Sequence, residues 1–162
     1  MAIDPLRLRN VFGHFATGVA VVTTVSDEGE RAGLTINSFN SVSLTPELVQ
    51  FSLDKKVRSL PVFRRSRHYV INFLSEEQGE TSARFARGNH DKWAGCLTRL
   101  GLNGAPILEG CLAYIDCERE QVLALGDHEV FFCRVLDFAS DSTKAPLVFF
   151  KGRYCALTPS TI

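Results

Sequence analysis

Fifteen consecutive residues, Ala32 to Pro46, carry no charged side chain. A strand with one face in water ordinarily places Lys, Arg, Asp or Glu somewhere on that face. The run is shorter than the roughly 18 apolar residues a membrane span requires, and it is rich in Ser, Thr and Asn. It must therefore be covered, by the rest of the chain or by a ligand. Just before it, Val19 to Val25 is largely β-branched and Asp27-Glu28-Gly29-Glu30 supplies a polar turn, so the region reads as a β-hairpin. Written as one strand, Thr35, Asn37, Ser41 and Ser43 share a face with Phe39, while Ile36, Val42 and Leu44 fall on the other. Short neutral donors beside an aromatic ring suit an uncharged heterocycle that needs hydrogen bonds at its edge and stacking on its face. An ordinary covered sheet with satisfied hydroxyls has the same pattern.

The next segment changes character. Lys55, Lys56 and Arg58 stand just before a short helix, Ser59 to Arg65, that Ser59 is placed to cap and Pro61 to open. Cations at a helix start suit an anion such as phosphate, although a solvated basic loop looks alike. Arg84 and Arg87 flank Phe85-Ala86 at the end of a later helix, as a second clamp or as dipole partners. In Leu125-Gly126-Asp127-His128-Glu129 the turn residues display His128 at the head of a strand, where it can donate a hydrogen bond to a ligand or simply face water. Trp93 sits in a glycine-rich stretch and suits a lid or a core position equally.

The remaining pattern gives a mainly β or α+β chain. A first helix runs from Asp4 and Pro5 to a stop at Gly18; strands are expected at Leu48–Leu53, His68–Leu74, Cys111–Cys117, Val130–Phe138, Leu147–Phe150 and Tyr154–Leu157. Ser75 with Gln78 opens a helix ending near Phe85 or Ala86, and Gly88 to Gly110 reads as an irregular excursion. Seven or eight strands with two or three short helices suggest an antiparallel barrel. The 162 residues are expected to form one unit. Lys plus Arg and Asp plus Glu both number 18, so no net field gathers nucleic acid. Five unpaired cysteines among apolar neighbours suit reduced thiols, and no secretory or membrane segment is visible, so a soluble cytoplasmic protein is expected. The four histidines have no metal-ligand spacing, and no metal is expected. Hydrolase elbows, P-loops and the G-x-G-x-x-G fingerprint are missing, whereas hydride transfer between two cofactors needs none of them.

Motif order adds to this reading. Phe15-Ala16-Thr17-Gly18-Val19, Gly33-Leu34-Thr35-Ile36-Asn37-Ser38-Phe39, Ser41-Val42-Ser43-Leu44, Phe85-Ala86-Arg87, Asp91-Lys92-Trp93-Ala94-Gly95, Gly126-Asp127-His128 and Pro146-Leu147 with Tyr154 follow one another from about Arg9 to Leu157. In this order the chain resembles the short-chain flavin reductase family, the reductase components of two-component flavin-dependent monooxygenases. The resemblance implies an FMN-binding split β-barrel with Greek-key connections, built as a homodimer. It implies reduction of FMN or FAD by NADH or NADPH, with reduced flavin passed to a monooxygenase. By the same likeness Thr35, Asn37 and Ser38 hold the isoalloxazine edge, with Ile36, Ser41, Val42, Ser43 and Leu44 nearby. Lys56, Arg58 and Ser59 take the phosphate, assisted by Arg87 with Phe85 and Ala86. Trp93 covers the dinucleotide pocket, Tyr154 completes the cofactor site, and His128 is the catalytic candidate beside the nicotinamide. Two other readings remain: a split-barrel flavoprotein serving a corrinoid or ferric chelate, and a non-catalytic flavin or haem carrier.

Overall fold

In the computed structural model, which describes residues 3–88 and 91–158, helix α1 (Pro5–Phe12) begins as its sequence dictates. The Asp4 carboxylate accepts the Leu6 N–H (2.9 Å) and Pro5 occupies the first turn. The helix stops at Phe12, not at Gly18, and Gly13 closes it through an N–H donated to the Arg9 carbonyl (3.0 Å). Strand pairing takes the residues beyond: β1 (Thr17–Gly18) lies opposite Phe149 and Val148. The hairpin read around Asp27–Glu30 is present as β2 (Ala20–Val25) and β3 (Arg31–Ile36), its turn closed by the Ser26 N–H on the Glu30 carbonyl (2.9 Å).

The uncharged run is two strands rather than one. A corner at Asn37-Ser38-Phe39 separates β3 from β4 (Asn40–Leu44), which pairs with β5 (Glu47–Asp54). A register shift between Ser41 and Ser43 breaks the alternation again. The common face expected for Thr35, Asn37, Ser41 and Ser43 therefore does not form.

Helix α2 (Leu60–Arg65), strand β6 (His68–Phe73), a 3-10 turn at Glu76–Gln78 and α3 (Gly79–Ala86) follow. Gln78 Oε1 accepts the Ser75 N–H (3.1 Å), and α3 ends where its sequence pattern places the stop. Within the glycine-rich stretch, β7 (Thr98–Leu100) and β8 (Pro106–Leu108) make a small hairpin; Asn89 and His90 lie outside the described residues. β9 (Ala113–Leu125) and β10 (His128–Ser140) each run 13 residues; β9 continues well past its expected end at Cys117, whereas β10 only slightly exceeds the expected Val130–Phe138. Their polar middles stay in the ladder because partners face each other: Glu118 is opposite Arg134, and Arg134 pairs with Glu120 at 3.1 Å. β11 (Val148–Phe150) and β12 (Arg153–Cys155) complete the chain's strands as described.

Seven strands form one antiparallel sheet in the order β3-β2-β6-β9-β10-β5-β4. Its two outer strands, β3 and β4, are consecutive in sequence and joined only by the three-residue corner. Six strand spacings would separate them by about 29 Å if the sheet were flat, while the link from Ile36 to Asn40 spans at most about 14 Å. The sheet must therefore curl into a barrel, with the corner at its closure.

The barrel interior is aromatic. Phe51 and Phe131 stack at 5.0 Å, and Tyr69 meets them edge-on at 5.5 and 5.7 Å. Leu60, Val62 and Phe63 of α2 join this core. β2 is buried along almost its whole length: Ala20 and Val22 face the barrel, whereas Val19 and Val21 pack with Phe85 of α3, Leu108 and Leu147. Cover on both sides explains why this strand carries no charged residue and why its buried Thr24 hydroxyl is satisfied internally, by the His68 carbonyl (2.7 Å).

Candidate functional site

The closing corner is pinned, and its pinning leaves one amide outward. Ser38 Oγ donates to the Ser52 carbonyl (2.9 Å) and accepts the Ser52 N–H (3.0 Å), which ties the corner to β5. Phe39 packs edge-on against Phe73 at 4.7 Å. Asn37 is exposed and borders two adjoining clefts. Along β4, Ser41, Val42 and Leu44 are exposed and Ser43 is half-buried, its hydroxyl accepting the Thr45 N–H (3.1 Å).

From Ser52, β5 leads to Asp54 and then to Lys55, Lys56 and Arg58. His128 lies directly opposite Asp54 in the ladder. The Lys55 N–H donates to the Asp127 carbonyl (2.9 Å), and its ammonium donates to the Gly126 carbonyl (2.5 Å). The cationic segment and the turn carrying His128 are thus a single unit. His128 is half-buried, with Nδ1 2.7 Å from Asp127 Oδ1, and this hydrogen bond holds the Asp127 carboxyl below the usual range.

Ser59 precedes α2, but its hydroxyl makes no capping bond, contrary to the expectation from sequence. Ser59 Oγ is shielded from solvent and has no hydrogen-bond partner among the described residues. α2 has only six residues, so affinity for an anion rests on the side-chain cations and not on a helix end.

A second group of the expected residues collects around α3. Thr35 Oγ1 donates to the Ser82 carbonyl (2.7 Å), and the Ser82 hydroxyl bonds the Tyr154 hydroxyl (2.7 Å). Ile36 packs into the barrel core and borders the cleft beside Asn37, whereas Phe85 is fully buried, which closes its side chain to a ligand. Trp93, half-buried, packs edge-on against Phe85 (5.1 Å) beneath the Arg31 guanidinium (4.7 Å), bracing β3. Ala86 is exposed, and Arg87 borders a separate cleft whose lining also includes Arg84 and the acidic residues Glu80 and Asp91. Ser38 ties the corner to Ser52, two residues before Asp54, so Asn37 and Ser38 lie toward the end of β5 that carries Lys56, Arg58, Ser59 and His128. Ser41 and Ser43 sit opposite Val49 and Leu48, toward the other end of β5. Arg87 and Trp93 lie beside α3.

Two residues were not singled out by the sequence reading. Asp127 acts through the turn, as does the backbone of Lys55, a role visible only in the strand register. Thr17 borders the cleft beside Asn37, and its shielded hydroxyl has no partner among the described residues. A flavin nucleotide fits this donor set: neutral amides and hydroxyls for the ring edge, unpartnered hydroxyls at Thr17 and Ser59, and three cations for a phosphate.

Residues 12–158 match the family described as flavin reductase like domain. The chain is 39% identical over 153 residues to a flavin reductase from Pseudomonas putida, covering 94% of this chain and 90% of that protein. It is 43% identical over 158 residues to HsaB, the reductase subunit of a flavin-dependent monooxygenase from Rhodococcus jostii, covering 98% and 80%. Among solved structures, the Streptomyces globisporus NADH:FAD oxidoreductase SgcE6, in complex with NAD and FAD fragments, superposes with a TM-score of 0.92 at 30% identity, covering 100% of this chain and 99% of that one. A matched segment that contains the barrel, its closing corner and the His128 turn identifies the chain as a member of the flavin reductase-like domain family.

Proposed function

We propose that this chain oxidises NADH or NADPH, reduces FMN or FAD, and supplies the reduced flavin to a partner monooxygenase. The observation that carries the reading is the tie of the uncharged corner Asn37-Ser38-Phe39, through Ser38, to Ser52 of β5, whose end leads into the cationic segment at Lys55–Arg58, with His128 held against that segment by the β5–β10 register. This matches a neutral ring with an anionic tail, reduced beside a nicotinamide. The relatives are described as flavin reductases and monooxygenase reductase subunits, which supports the same assignment.

Bound flavin supplies a two-electron acceptor for the nicotinamide hydride. The chain's own residues bind and orient. Asn37 and Ser41 present neutral hydrogen-bonding groups from the corner and β4. Lys56 and Arg58 neutralise a phosphate. His128, its ring fixed by Asp127, donates to the nicotinamide and sets its approach. No side chain is required to take or give a proton; acceleration comes from orientation.

The reading includes a homodimer. Val42 and Leu44 on β4, and Leu123, Leu125, Leu136 and Phe138 on the long hairpin, are solvent-exposed in the single chain. Exposed apolar area of this kind calls for a partner surface, here a second copy. Analytical ultracentrifugation giving a monomer at micromolar concentration would remove that part.

The deciding assay crosses FMN and FAD with NADH and NADPH. Turnover with added free flavin is expected; flavin binding without oxidation of either nicotinamide would overturn the enzymatic reading. His128→Ala is expected to slow reduction while flavin still binds. Arg58→Ala is expected to weaken FMN more than riboflavin, by about 1.5–3 kcal/mol for a charge-assisted contact.

A further inference from the structure

The turn between β11 and β12 carries a lysine where its geometry disfavours one. Lys151 has φ +47° and Gly152 follows at +78°. Two successive positive φ values mark the mirror-image type I turn, whose first position ordinarily holds Asn, Asp or Gly. A long side chain kept in the left-handed region is a local cost, and such costs concentrate where a side chain is used. Within the hairpin the Lys151 ammonium only stands over the Phe150 ring at 5.2 Å, and no carboxylate pairs with it among the described residues.

What the position achieves is a place on the rim of a cleft of about 740 Å³ between α1 and this turn. The Lys151 N–H donates to the Gly13 carbonyl (2.8 Å), which fixes the turn against the end of α1. Arg9 reaches the same cleft from the last turn of α1 and also has no carboxylate partner among the described residues. Among the described residues no Asp or Glu lines the cleft. His14 lines it too; its Nδ1–H donates to the Asn10 carbonyl (2.9 Å), since a carbonyl only accepts, and this leaves Nε2 open to a ligand. Asn37 forms part of the wall, so the cleft runs into the corner assigned above to flavin.

We propose that this cleft takes the pyrophosphate of the nicotinamide dinucleotide, gripped by Lys151 and Arg9. The reaction has two anionic substrates, and the flavin phosphate already has Lys55, Lys56 and Arg58. A second, separate pair of uncompensated cations beside Asn37 fits the second substrate. The assignment rests on the nicotinamide-dependent flavin reductase reading.

Lys151→Gly tests it cleanly, because glycine is relaxed at this φ and the fold is not threatened. The variant is expected to keep or raise its thermal midpoint. Its KM for NADH and its calorimetric Kd for NAD+ should both rise about tenfold, the loss of one charge-assisted contact, and the salt dependence of both should flatten. Its fluorescence-titrated Kd for FMN should not move. Arg9→Gln should shift KM and the NAD+ Kd in the same direction. Unchanged NAD+ affinity in both variants, with wild-type protein that binds NAD+, would overturn the cleft assignment alone. Weaker FMN binding with intact riboflavin binding would transfer the cleft to the flavin phosphate and overturn it as well. Wild-type protein that binds no NAD+ would instead remove the parent reading.

Discussion

Gly33 lies so close to the ring of Phe85 that a Cβ placed on it would stand 2.5 Å from Cε1 and 2.7 Å from Cδ1. The ring cannot retreat easily, because Trp93 packs edge-on against it and Lys92 donates to both the Gly33 carbonyl (3.1 Å) and the Phe85 carbonyl (2.9 Å). A glycine in the middle of β3 is therefore a packing requirement for seating α3 on the barrel. Gly33→Ala is expected to cost about 1–3 kcal/mol by overpacking. Urea denaturation measures it, and Phe85→Leu in the same chain should return part of the loss; a Gly33→Ala chain as stable as wild type would contradict the contact.

Arg64 faces Glu129 with Nε 3.1 Å from both carboxylate oxygens and Nη2 on Oε1. Glu129 is only 8% exposed at its side chain, and the Arg64 hydrogen bond holds its carboxyl below the usual range. A carboxyl lowered in the folded state stabilises above its unfolded pKa, and that contribution is lost as pH falls through the folded value. Arg64→Met leaves the shielded carboxylate without its partner, at about 1–3 kcal/mol near neutrality. Denaturation midpoints of wild type and variant should converge as the medium is acidified below the carboxylate range. A gap that persists in acid would mean that Arg64 acts through packing alone.

The barrel was legible because its strands are β-branched runs, such as Val19 to Val25, separated by turn residues. The corner at Asn37-Ser38-Phe39 was not: nothing local in a neutral polar run announces a break, and only the need to join the sheet's two outer strands imposes it. The long arm of β9 was hidden for a related reason, since Glu118–Gln121 looks like loop until Arg134 is found across the ladder. Of the site, the cations and His128 could be read from composition and turn chemistry. Trp93 fits a lid and a core position equally well by its glycine neighbours, and the resemblance set Phe85 with the phosphate clamp; the structure packs Phe85 fully buried against Gly33 and Trp93, half-buried, against Phe85.

Asp116 offers a test of a buried charge. It is fully buried, Oδ2 accepts the Leu102 N–H (2.7 Å), and Oδ1 has no partner among the described residues. Burial raises its carboxyl pKa. A carboxyl raised in the folded state favours folding below its unfolded pKa, and this is lost as pH rises through the folded value, so at neutrality the group is a liability. Asp116→Asn keeps an acceptor for Leu102 and removes the charge. Its thermal midpoint should match or exceed that of wild type at neutral pH, with the advantage vanishing in acid; a clear loss at neutral pH would show that the carboxylate is needed.

Asp127 touches the proposed nicotinamide site only through His128, by the 2.7 Å contact between Oδ1 and Nδ1. Asp127 is exposed, so its contribution to stability is small, and its value lies in holding the imidazole in one orientation. Asp127→Asn can still accept a hydrogen bond but no longer supplies a charged acceptor. The fall expected in kcat/KM for NADH is about tenfold, the scale of a modest misplacement of a reacting group, with FMN affinity unchanged. If Asp127 works through His128, adding Asp127→Asn to His128→Ala should cost nothing further, because the group it orients has gone. Losses that multiply in the double variant would assign Asp127 a contact of its own with substrate.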